Sequence, residues 1–157
     1  MEVADFLTKP FTCRSAIRFS HCDPAGYVFF ARFFDMLQAT TEDWLTQRLG
    51  INFAEMIMER HLGNPTAHTE CQFIKPCVLG EYLDISLILE KIGNTSFTVR
   101  YIGYVAGEVR LRARSVQIMI ETRTGRPVPF ESEFLARLEE YKEQVIAPDD
   151  TGPEKRG

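Results

Sequence analysis

The sequence has 157 residues and a mass of 18.0 kDa, which is the size of one domain with short tails at most. Apolar residues make up 45% of the chain and charged residues 25%, so the composition is that of a globular protein and excludes a disordered one. The net charge of −4 argues against a general nucleic-acid binder, which needs a basic surface facing phosphates.

The sequence also lacks the marks of a membrane, secreted or metal-dependent protein. No apolar run approaches the ~20 residues that span a bilayer, and residues 1–5 lack the basic start of a secretory signal. The run His21-Cys22-Asp23 holds three metal-ligand types, but neighbouring side chains on an extended chain point to alternate sides. The cysteines form no CxxC pair; they are Cys13, Cys22, Cys71 and Cys77. We therefore expect a cytoplasmic protein with no membrane or nucleic-acid partner, no disulfide frame, no metal and no cofactor.

The first third of the chain predicts a strand and two helices. Alternating apolar residues predict a strand over 13–20, which Pro24 and Gly26 end. A shorter helix is predicted from Asn52, with Glu55 as a capping partner, ending near Gly63. The strongest helical signal lies between them, at i, i+3, i+4, i+7 spacing, and stops at Gly50. Its residues are Phe30, Phe33, Phe34, Leu37, Thr41, Trp44, Leu45 and Leu49.

The remainder of the chain changes to a period of two, which predicts strands. The predicted strands cover residues 67–73, 83–90, 97–101 and 109–114, with turns at 93–94 and 106–107. After residue 114 the apolar phase shifts, which predicts a β-bulge near Ser115. The shifted apolar residues are Val116, Ile118 and Ile120. Residues 131–144 predict a closing amphipathic helix.

This order predicts an α+β fold in which one long helix lies on one face of an antiparallel sheet. A curved sheet wrapped around the helix is its simplest packed form. We expect one domain over residues 1–146, with residues 1–10 loose in part. Residues 147–157 are polar and rich in Pro and Gly, which predicts a flexible tail.

Asp23 is the residue that carries the most chemical information. It stands where the first strand gives way to a Pro/Gly turn, a few residues before the aromatic helix. The first N–H groups of a helix lack intrahelical partners and face a positive dipole end, so they can hold a carbonyl oxygen that becomes negative. A carboxylate beside them can attack that carbonyl or activate a water. Spacing alone leaves a second interpretation open, in which Asp23 is a helix cap or turn residue.

Three segments in the right order resemble the 4-hydroxybenzoyl-CoA thioesterase family of hotdog-fold enzymes. They are HCDPAGYVFF at residues 21–30, FIKPCVLGEYL at 73–83 and TGRPVP at 124–129. The first is similar to the family signature, the second to its aromatic-x-x-Pro-x-x-x-Gly-Asp/Glu segment, and the third to the turn that closes its last strand. Together they span most of residues 12–130.

The resemblance implies a hotdog fold and an acyl-CoA thioester hydrolase. It implies that Asp23 matches the catalytic carboxylate and that the backbone N–H of Phe30 matches the oxyanion donor. A CoA thiolate leaves without much help from a general acid, because its thiol has a pKa near the ~8.5 of cysteine. A single carboxylate without an evident triad suits such a leaving group.

Three positions depart from the family pattern. His21 replaces the first acid of an Asp-x-Asp motif found in many relatives, and Phe30 stands where some relatives have histidine. The turn at 93–95 lacks the basic residues that a relative uses on CoA phosphates. His21 is interpreted either as a hydrogen-bonded structural residue or as a neighbour that acts with Asp23.

The substrate contacts are predicted from the aromatic and basic residues around these motifs. Tyr27, Phe29 and Phe33 are candidates for the acyl wall, although the helix aromatics also suit the core. This wall predicts a preference for aryl or short, bulky acyl groups over long chains. Arg126, on the family-like turn, is the phosphate candidate. Arg110, Arg112 and Arg114 are interpreted as a solvated or interface stripe.

The leading functional prediction is a cofactor-free hydrolase of aryl or short acyl-CoA. The alternatives are a non-catalytic acyl-CoA sensor or carrier with the same groove, and a hotdog hydratase. A hydratase needs an Asp/His pair placed differently from His21 and Asp23, and the sequence shows none. An open sheet leaves edges such as the Arg110 strand unpaired, which predicts a homodimer or homotetramer. The resemblance implies the same, with the groove between two subunits.

Overall fold

The structure, a computed structural model, describes residues 9–148. Most of the N-terminal segment and of the tail expected to be loose therefore lies outside the described residues. The helices are α1 (Phe30–Asp43), α2 (Phe53–Met58) and α3 (Ser132–Gln144). The strands are β1 (Phe11–Ala16), β2 (Leu62–Gly63), β3 (Thr66–Phe73), β4 (Tyr82–Ile92), β5 (Ser96–Val105), β6 (Glu108–Ile118), β7 (Ile120–Glu121) and β8 (Arg126–Pro127).

Five strands form one antiparallel sheet in the order β1-β4-β5-β6-β3. The edges are therefore β1 and β3. The expectation that the Arg110 strand is an edge is wrong, because β3 returns from the first half of the chain to pair along β6. Turn patterns report only pairings between neighbours in sequence, so they give no sign of this one. The short strands β2, β7 and β8 form a second, small sheet.

The long helix α1 packs on one face of the large sheet, which confirms the predicted α+β arrangement. Thr41 of α1 is hydrogen-bonded to Tyr101 of β5 at 2.6 Å, and Trp44 lies against Phe97 with ring centroids 5.9 Å apart. Trp44 begins a π-helical turn that extends to Arg48. The predicted helix thus continues almost to Leu49, as expected. No helix within residues 9–148 is both long and apolar enough to cross a membrane.

Two element boundaries differ from the prediction. The first strand ends at Ala16 rather than at residue 20, and a 3-10 turn over Phe19–His21 follows it. The short helix α2 has the predicted Asn52 cap, whose side chain accepts a hydrogen bond from the Glu55 N–H at 3.0 Å. It ends at Met58, because the chain turns at His61 with a positive φ of 54° and then enters β2.

The predicted bulge near Ser115 is not in β6; the extra residue is Ala67 of β3, opposite Val116 and Gln117. Ser115 pairs with Val99 and Arg114 pairs with Arg100 in unbroken register. The residues that point toward α1 after position 114 are polar, and they are Ser115 and Gln117, which are both buried. The apolar residues Val116 and Ile118 alternate with them and lie on the opposite face of the sheet. The shift in the sequence pattern therefore marks polar side chains in the interior, not a change of face.

The bulge in β6 lies at Arg110 instead. Gly103 pairs with Leu111 and Tyr104 pairs with Val109, so Arg110 is the extra residue. Its side chain is buried rather than part of a solvated stripe, which corrects the sequence interpretation of this residue.

Candidate active site

The segment around Asp23 folds back on itself as a short two-stranded ribbon. The Asp23 N–H donates to the Tyr27 carbonyl oxygen and the Phe29 N–H donates to the His21 carbonyl oxygen, both at 2.9 Å. Cys22 is bridged to Val28. Since side chains alternate along such a ribbon, Cys22 and Val28 share the side that is turned to the core. Asp23, His21, Tyr27 and Phe29 share the opposite side.

The Asp23 carboxylate is exposed, and only one of its oxygens is engaged. Oδ1 accepts a hydrogen bond from the Ala25 N–H at 2.9 Å, which forms an Asx turn before Gly26. Gly26 has a φ of +81°, a conformation that side chains other than glycine rarely adopt. Oδ2 has no hydrogen-bond partner among residues 9–148, so it is free to face a substrate. The turn interpretation of Asp23 is thus correct for Oδ1.

The helix-cap interpretation of Asp23 is wrong. Phe29 is the residue that caps α1, and no side chain accepts a hydrogen bond from the first turn. The Phe30 N–H is the first of the helix and has no partner within the described part of the chain. Its donor and the dipole of a helix of 14 residues are therefore directed at the solvent beside the ribbon. This is the arrangement that stabilises an oxygen on which negative charge develops.

The loop between β3 and β4 is hydrogen-bonded to the ribbon. The Val28 N–H donates to the Cys77 carbonyl oxygen at 3.0 Å and the Leu79 N–H donates to the Gly26 carbonyl oxygen at 3.1 Å. Tyr27 is bridged to residue 78 of the same loop. The loop therefore fixes where the Asp23 turn lies relative to the sheet.

Arg110 holds this loop in turn. Its guanidinium donates to both carboxylate oxygens of Glu81, at 3.1 and 2.9 Å, and to the Pro76 carbonyl oxygen at 2.7 Å. A further bond from Nε reaches Glu108 at 2.9 Å. Hydrogen bonding to Arg110 lowers the pKa of Glu81, and the Val78 N–H, which donates to the same carboxylate, lowers it further. Arg110 is thus a positioning residue that the sequence interpretation missed.

Two signals in the sequence point to this arrangement in retrospect. The Gly80-Glu81 pair belongs to the segment that resembles the family, and a carboxylate there calls for a cation. Gly80 has a φ of +94°, which explains why the loop has glycine before that carboxylate. The bulge that turns Arg110 inward has no signature in the alternating pattern of β6.

The predicted aromatic wall divides into exposed and buried residues. Tyr27, Phe29 and Phe30 are 46%, 49% and 58% exposed, so they form an apolar surface around the Asp23 ribbon. Phe33 is only 4% exposed and lies against Phe73 of β3, with ring centroids 5.3 Å apart. Phe29, a candidate for the acyl wall, therefore lies outside the core. Phe33 is therefore a core residue.

His21 and Arg126 occupy different places relative to Asp23. His21 shares the ribbon with Asp23, and its Nδ1 accepts a hydrogen bond from the Arg18 N–H at 3.0 Å. This contact agrees with the interpretation of His21 as a hydrogen-bonded structural residue, and it uses Nδ1 rather than Nε2. Arg126 lies exposed in β8, paired with Glu121 in the small sheet. No hydrogen bond or ion pair within residues 9–148 joins Arg126 to the ribbon, so its contact with phosphate stays a prediction.

The half-buried thiols of Cys13 and Cys71 are poor nucleophiles. Burial raises the pKa of Cys71 to about 11. Burial, together with the neighbouring Asp43 carboxylate, raises the pKa of Cys13 to about 11 as well. Because their pKa is about 11, these thiols are protonated at neutral pH, whereas the thiolate is the reactive form. Neither Cys13 nor Cys71 is therefore a candidate for the reacting group.

Comparisons with known proteins show the family to which the chain belongs. The family model described as the thioesterase-like superfamily matches residues 17–138. A 1,4-dihydroxy-2-naphthoyl-CoA hydrolase from Nostoc punctiforme is 32% identical over 123 residues, which is 77% of this chain and 82% of that protein.

Solved structures show the same fold. A 1,4-dihydroxy-2-naphthoyl-CoA thioesterase from Synechocystis superposes with a TM-score of 0.74 at 21% identity, covering 82% of this chain and 94% of its own. A Staphylococcus aureus protein in complex with CoA superposes with a TM-score of 0.83 at 14% identity, covering 94% of this chain and 91% of its own. The fold, the matched residues and the identity to the Nostoc hydrolase lead to one conclusion: this chain belongs to the thioesterase-like superfamily of hotdog proteins.

Proposed function

We propose that the protein hydrolyses acyl-CoA thioesters that carry an aryl or short acyl group, giving the free acid and CoA. The observation that carries the proposal is the pairing of a half-free carboxylate with an unpartnered helix N-terminus. Asp23 Oδ2 and the Phe30 N–H are both without partners among the described residues. Both belong to the short segment that the loop at residues 76–81 holds in place.

In the proposed reaction the thioester carbonyl oxygen lies on the Phe30 N–H. Asp23 either attacks the carbonyl carbon or takes a proton from a water that attacks it. The carbon–sulfur bond breaks, the negative charge on oxygen collapses back to a carbonyl, and the CoA thiolate leaves. In the direct route, water then cleaves the mixed anhydride on Asp23. In both routes one water is consumed, and the products are a carboxylic acid and a thiol.

The surroundings of Asp23 favour a flat and compact acyl group. Phe29 and Phe30 present exposed rings beside the ribbon, and such surfaces bind aromatic groups by stacking and area burial. A cavity of about 200 Å³, which no residue of the ribbon lines, lies farther along α1 between the helix and the sheet, with Phe34 in its wall. For comparison, an apolar cavity of roughly 150 Å³ is enough to bind benzene. One or two rings match this volume, whereas a palmitoyl chain exceeds it.

The relatives support the same substrate class. The Nostoc and Synechocystis proteins are named for a dihydroxynaphthoyl-CoA substrate, in which an aromatic acyl group is joined to CoA. The CoA complex of the Staphylococcus protein supports CoA as the part of the substrate that this fold binds. Both observations were made on other chains, and the proposal transfers them to this one.

We further propose that the working form is a homodimer or homotetramer. The edge strand β3 is exposed along most of its length, including Thr69 and Phe73 on the face turned to α1. A long unpaired edge is a template for pairing, and a second copy of the chain would cover it. The gap between α1 and β3 would then lie at the subunit interface.

A panel of acyl-CoA substrates tests the proposed function. Thiol release from benzoyl-, hydroxybenzoyl-, butyryl- and palmitoyl-CoA is followed with a chromogenic disulfide. The proposal predicts turnover that is highest for the aryl substrates and lower for palmitoyl-CoA. A higher kcat/KM for palmitoyl-CoA than for benzoyl-CoA would refute the acyl preference alone. Tight binding of acyl-CoA without thiol release would instead support the sensor alternative.

A further inference from the structure

The large sheet has an outer face, which is the face turned away from α1. Both long helices pack on the inner face, where Trp44 at the end of α1 lies edge to face with Tyr141 of α3, with ring centroids 5.3 Å apart. Ile88 and Ile102 alternate with inner residues along β4 and β5, so they point outward. Both are buried, yet they lie outside the main hydrophobic cluster. The outer face is therefore a surface of its own, with an apolar floor.

Three arginines surround this floor, and we call them the arginine cluster. They are Arg100 of β5 and Arg112 and Arg114 of β6. Arg100 stands directly opposite Ile88, and Arg112 stands directly opposite Ile102, so arginine stems lie beside the isoleucines. The cluster lines an open depression of about 470 Å³. This volume falls within the range of about 300–1,000 Å³ that is usual for small-molecule sites.

The sheet brings the positive charges of the cluster close together. Arg100 and Arg114 face each other directly on neighbouring strands. Side chains in such positions have Cβ atoms about 4.5–5.5 Å apart, and like charges there are destabilising. Arg112 is diagonal to Arg100, at about 7–8 Å, which long side chains can bridge. The arrangement therefore costs stability unless negative charge balances it.

The two carboxylates nearest the cluster are bound to Arg114. Its guanidinium donates to Glu90 at 2.7 Å and lies 3.9 Å from Glu70. Arg100 is partly buried, and it makes no hydrogen bond or ion pair with any residue between 9 and 148. Withdrawing a charge from water without an acceptor costs free energy. An anion from outside the chain would supply the acceptor that Arg100 lacks.

The residues of the depression suit a phosphate group. A guanidinium matches phosphate oxygens with two parallel hydrogen bonds. A phosphate monoester carries a charge of about −1.5 to −2 at neutral pH, so it can balance two arginines where a carboxylate balances one. Gln72 lines the same depression directly opposite Arg112, and its side-chain amide can donate to a further phosphate oxygen.

We propose that the arginine cluster is a binding site for a phosphorylated small molecule, with Arg100 and Arg112 on its phosphate group. The cluster shares no residue with the candidate active site, and α1, which follows the Asp23 ribbon, lies on the other face of the sheet. The proposal therefore does not depend on the proposed function. CoA also carries phosphate groups, so the phosphate can belong to a separate molecule or to CoA, and the experiment distinguishes the two sources.

Titration with inorganic pyrophosphate tests the proposal, by calorimetry in a buffer free of phosphate and sulfate. We expect saturable binding to the wild type and a Kd at least about tenfold higher for Arg100→Met, because a charged hydrogen-bond donor is lost. Arg14→Met is the matched control, since Arg14 lies on the same outer face but is held by Asp84. This control should keep the wild-type Kd within about twofold. No saturable binding to the wild type, or equal weakening by both substitutions, would overturn the proposal.

Urea unfolding checks that Arg100→Met acts on binding rather than on the fold. The substitution keeps an unbranched apolar stem and removes one of two like charges that face each other, so its midpoint should equal or exceed that of the wild type. A clearly lower midpoint would show that Arg100 is a structural residue and would overturn its assignment to a ligand.

A phenacyl-CoA thioether, which resembles the substrate but cannot be hydrolysed, identifies the source of the phosphate. If Arg100→Met weakens binding of the thioether as much as binding of pyrophosphate, the phosphates of CoA occupy the site. If it weakens binding of pyrophosphate alone, the ligand is a separate phosphorylated molecule. Both results support the site. Pyrophosphate binding needs no turnover, so absence of thiol release from acyl-CoA would count against the hydrolase proposal only.

Discussion

Arg110 is expected to stabilise both the fold and the position of Asp23, and Arg110→Met tests this. The substitution keeps an unbranched apolar stem and removes the guanidinium. It breaks both contacts to Glu81 and the bond to the Pro76 carbonyl oxygen. The Arg110 side chain is 9% exposed and that of Glu81 is 23% exposed, so solvent screens the pair only in part.

Removing one partner of a buried ion pair typically costs about 3–5 kcal/mol, and we expect about 3 kcal/mol here because Glu81 keeps some contact with water. For a domain of this size that loss lowers Tm by roughly 6–12 °C. The loop at residues 76–81 also loses its tie to β6, so the ribbon that carries Asp23 is less well placed. We expect kcat to fall about 10- to 100-fold, as misplacement of a reacting group does.

The free energy of unfolding is measured with urea, and kcat is measured at a temperature where the variant is folded. Arg14→Met is the matched control, because Arg14 makes an equally short paired contact with Asp84 but is 66% exposed. Its loss of stability should be several-fold smaller. If Arg110→Met were no less stable than this control and kept the wild-type kcat, the assigned role of Arg110 would be refuted.

Three further predictions follow from the described geometry. The stability difference between the wild type and Arg110→Met should shrink as pH falls below about 4. The folded-state pKa of Glu81 is lowered, so the ionised Glu81 stabilises the fold above its unfolded pKa, and this stabilisation is lost when Glu81 is protonated. A difference in the free energy of unfolding that stays the same in acid would contradict this prediction. Gly103→Ala should cost about 1–3 kcal/mol in urea unfolding, because the added Cβ would lie 2.7 Å from Leu111 Cγ; an unchanged midpoint would show that the core yields there. Light scattering should give a dimer or tetramer at micromolar concentration, and a stable monomer of 18.0 kDa would refute the pairing proposed for the β3 edge.

The helical half of the fold was predictable because its signals are local. The aromatic residues of α1 recur at helical spacing, so one broad face had to be buried whatever the topology. Asn52 is a cap by its own side chain and needs no distant partner. The boundary of β1 was less predictable, because the residues after Ala16 alternate like a strand and yet turn at Phe19–His21.

The two errors in β6 have one physical cause, which is that burial is decided by partners from other strands. Ser115 is inside because Thr69 of β3 completes its hydrogen bond, and Thr69 is not near it in sequence. Arg110 is inside because Glu81 lies across the sheet end and neutralises its charge. Polarity alone places both residues at the surface. The alternating pattern therefore predicted the strand correctly but not which of its side chains are buried.

The candidate site was predictable only in part. The position of Asp23 before the helix follows from the sequence, and so does its Asx turn. The free Phe30 N–H depends on a ribbon whose closure involves the loop at residues 76–81, about 50 residues away in the chain. Because this contact is long-range, a motif of ten residues cannot predict it.

The central claim is that the Asp23 carboxylate carries out the chemistry, and Asp23→Asn tests it most directly. The asparagine oxygen still accepts the hydrogen bond from the Ala25 N–H, so the turn and the fold are kept. The account predicts that kcat for the best aryl-CoA falls about 10²-fold or more, while the Kd of a phenacyl-CoA thioether and the free energy of unfolding stay near wild type. Asp35→Asn, on an exposed face of α1, should leave all three values unchanged. A near-normal kcat in Asp23→Asn would contradict the account and leave Asp23 as a turn residue only.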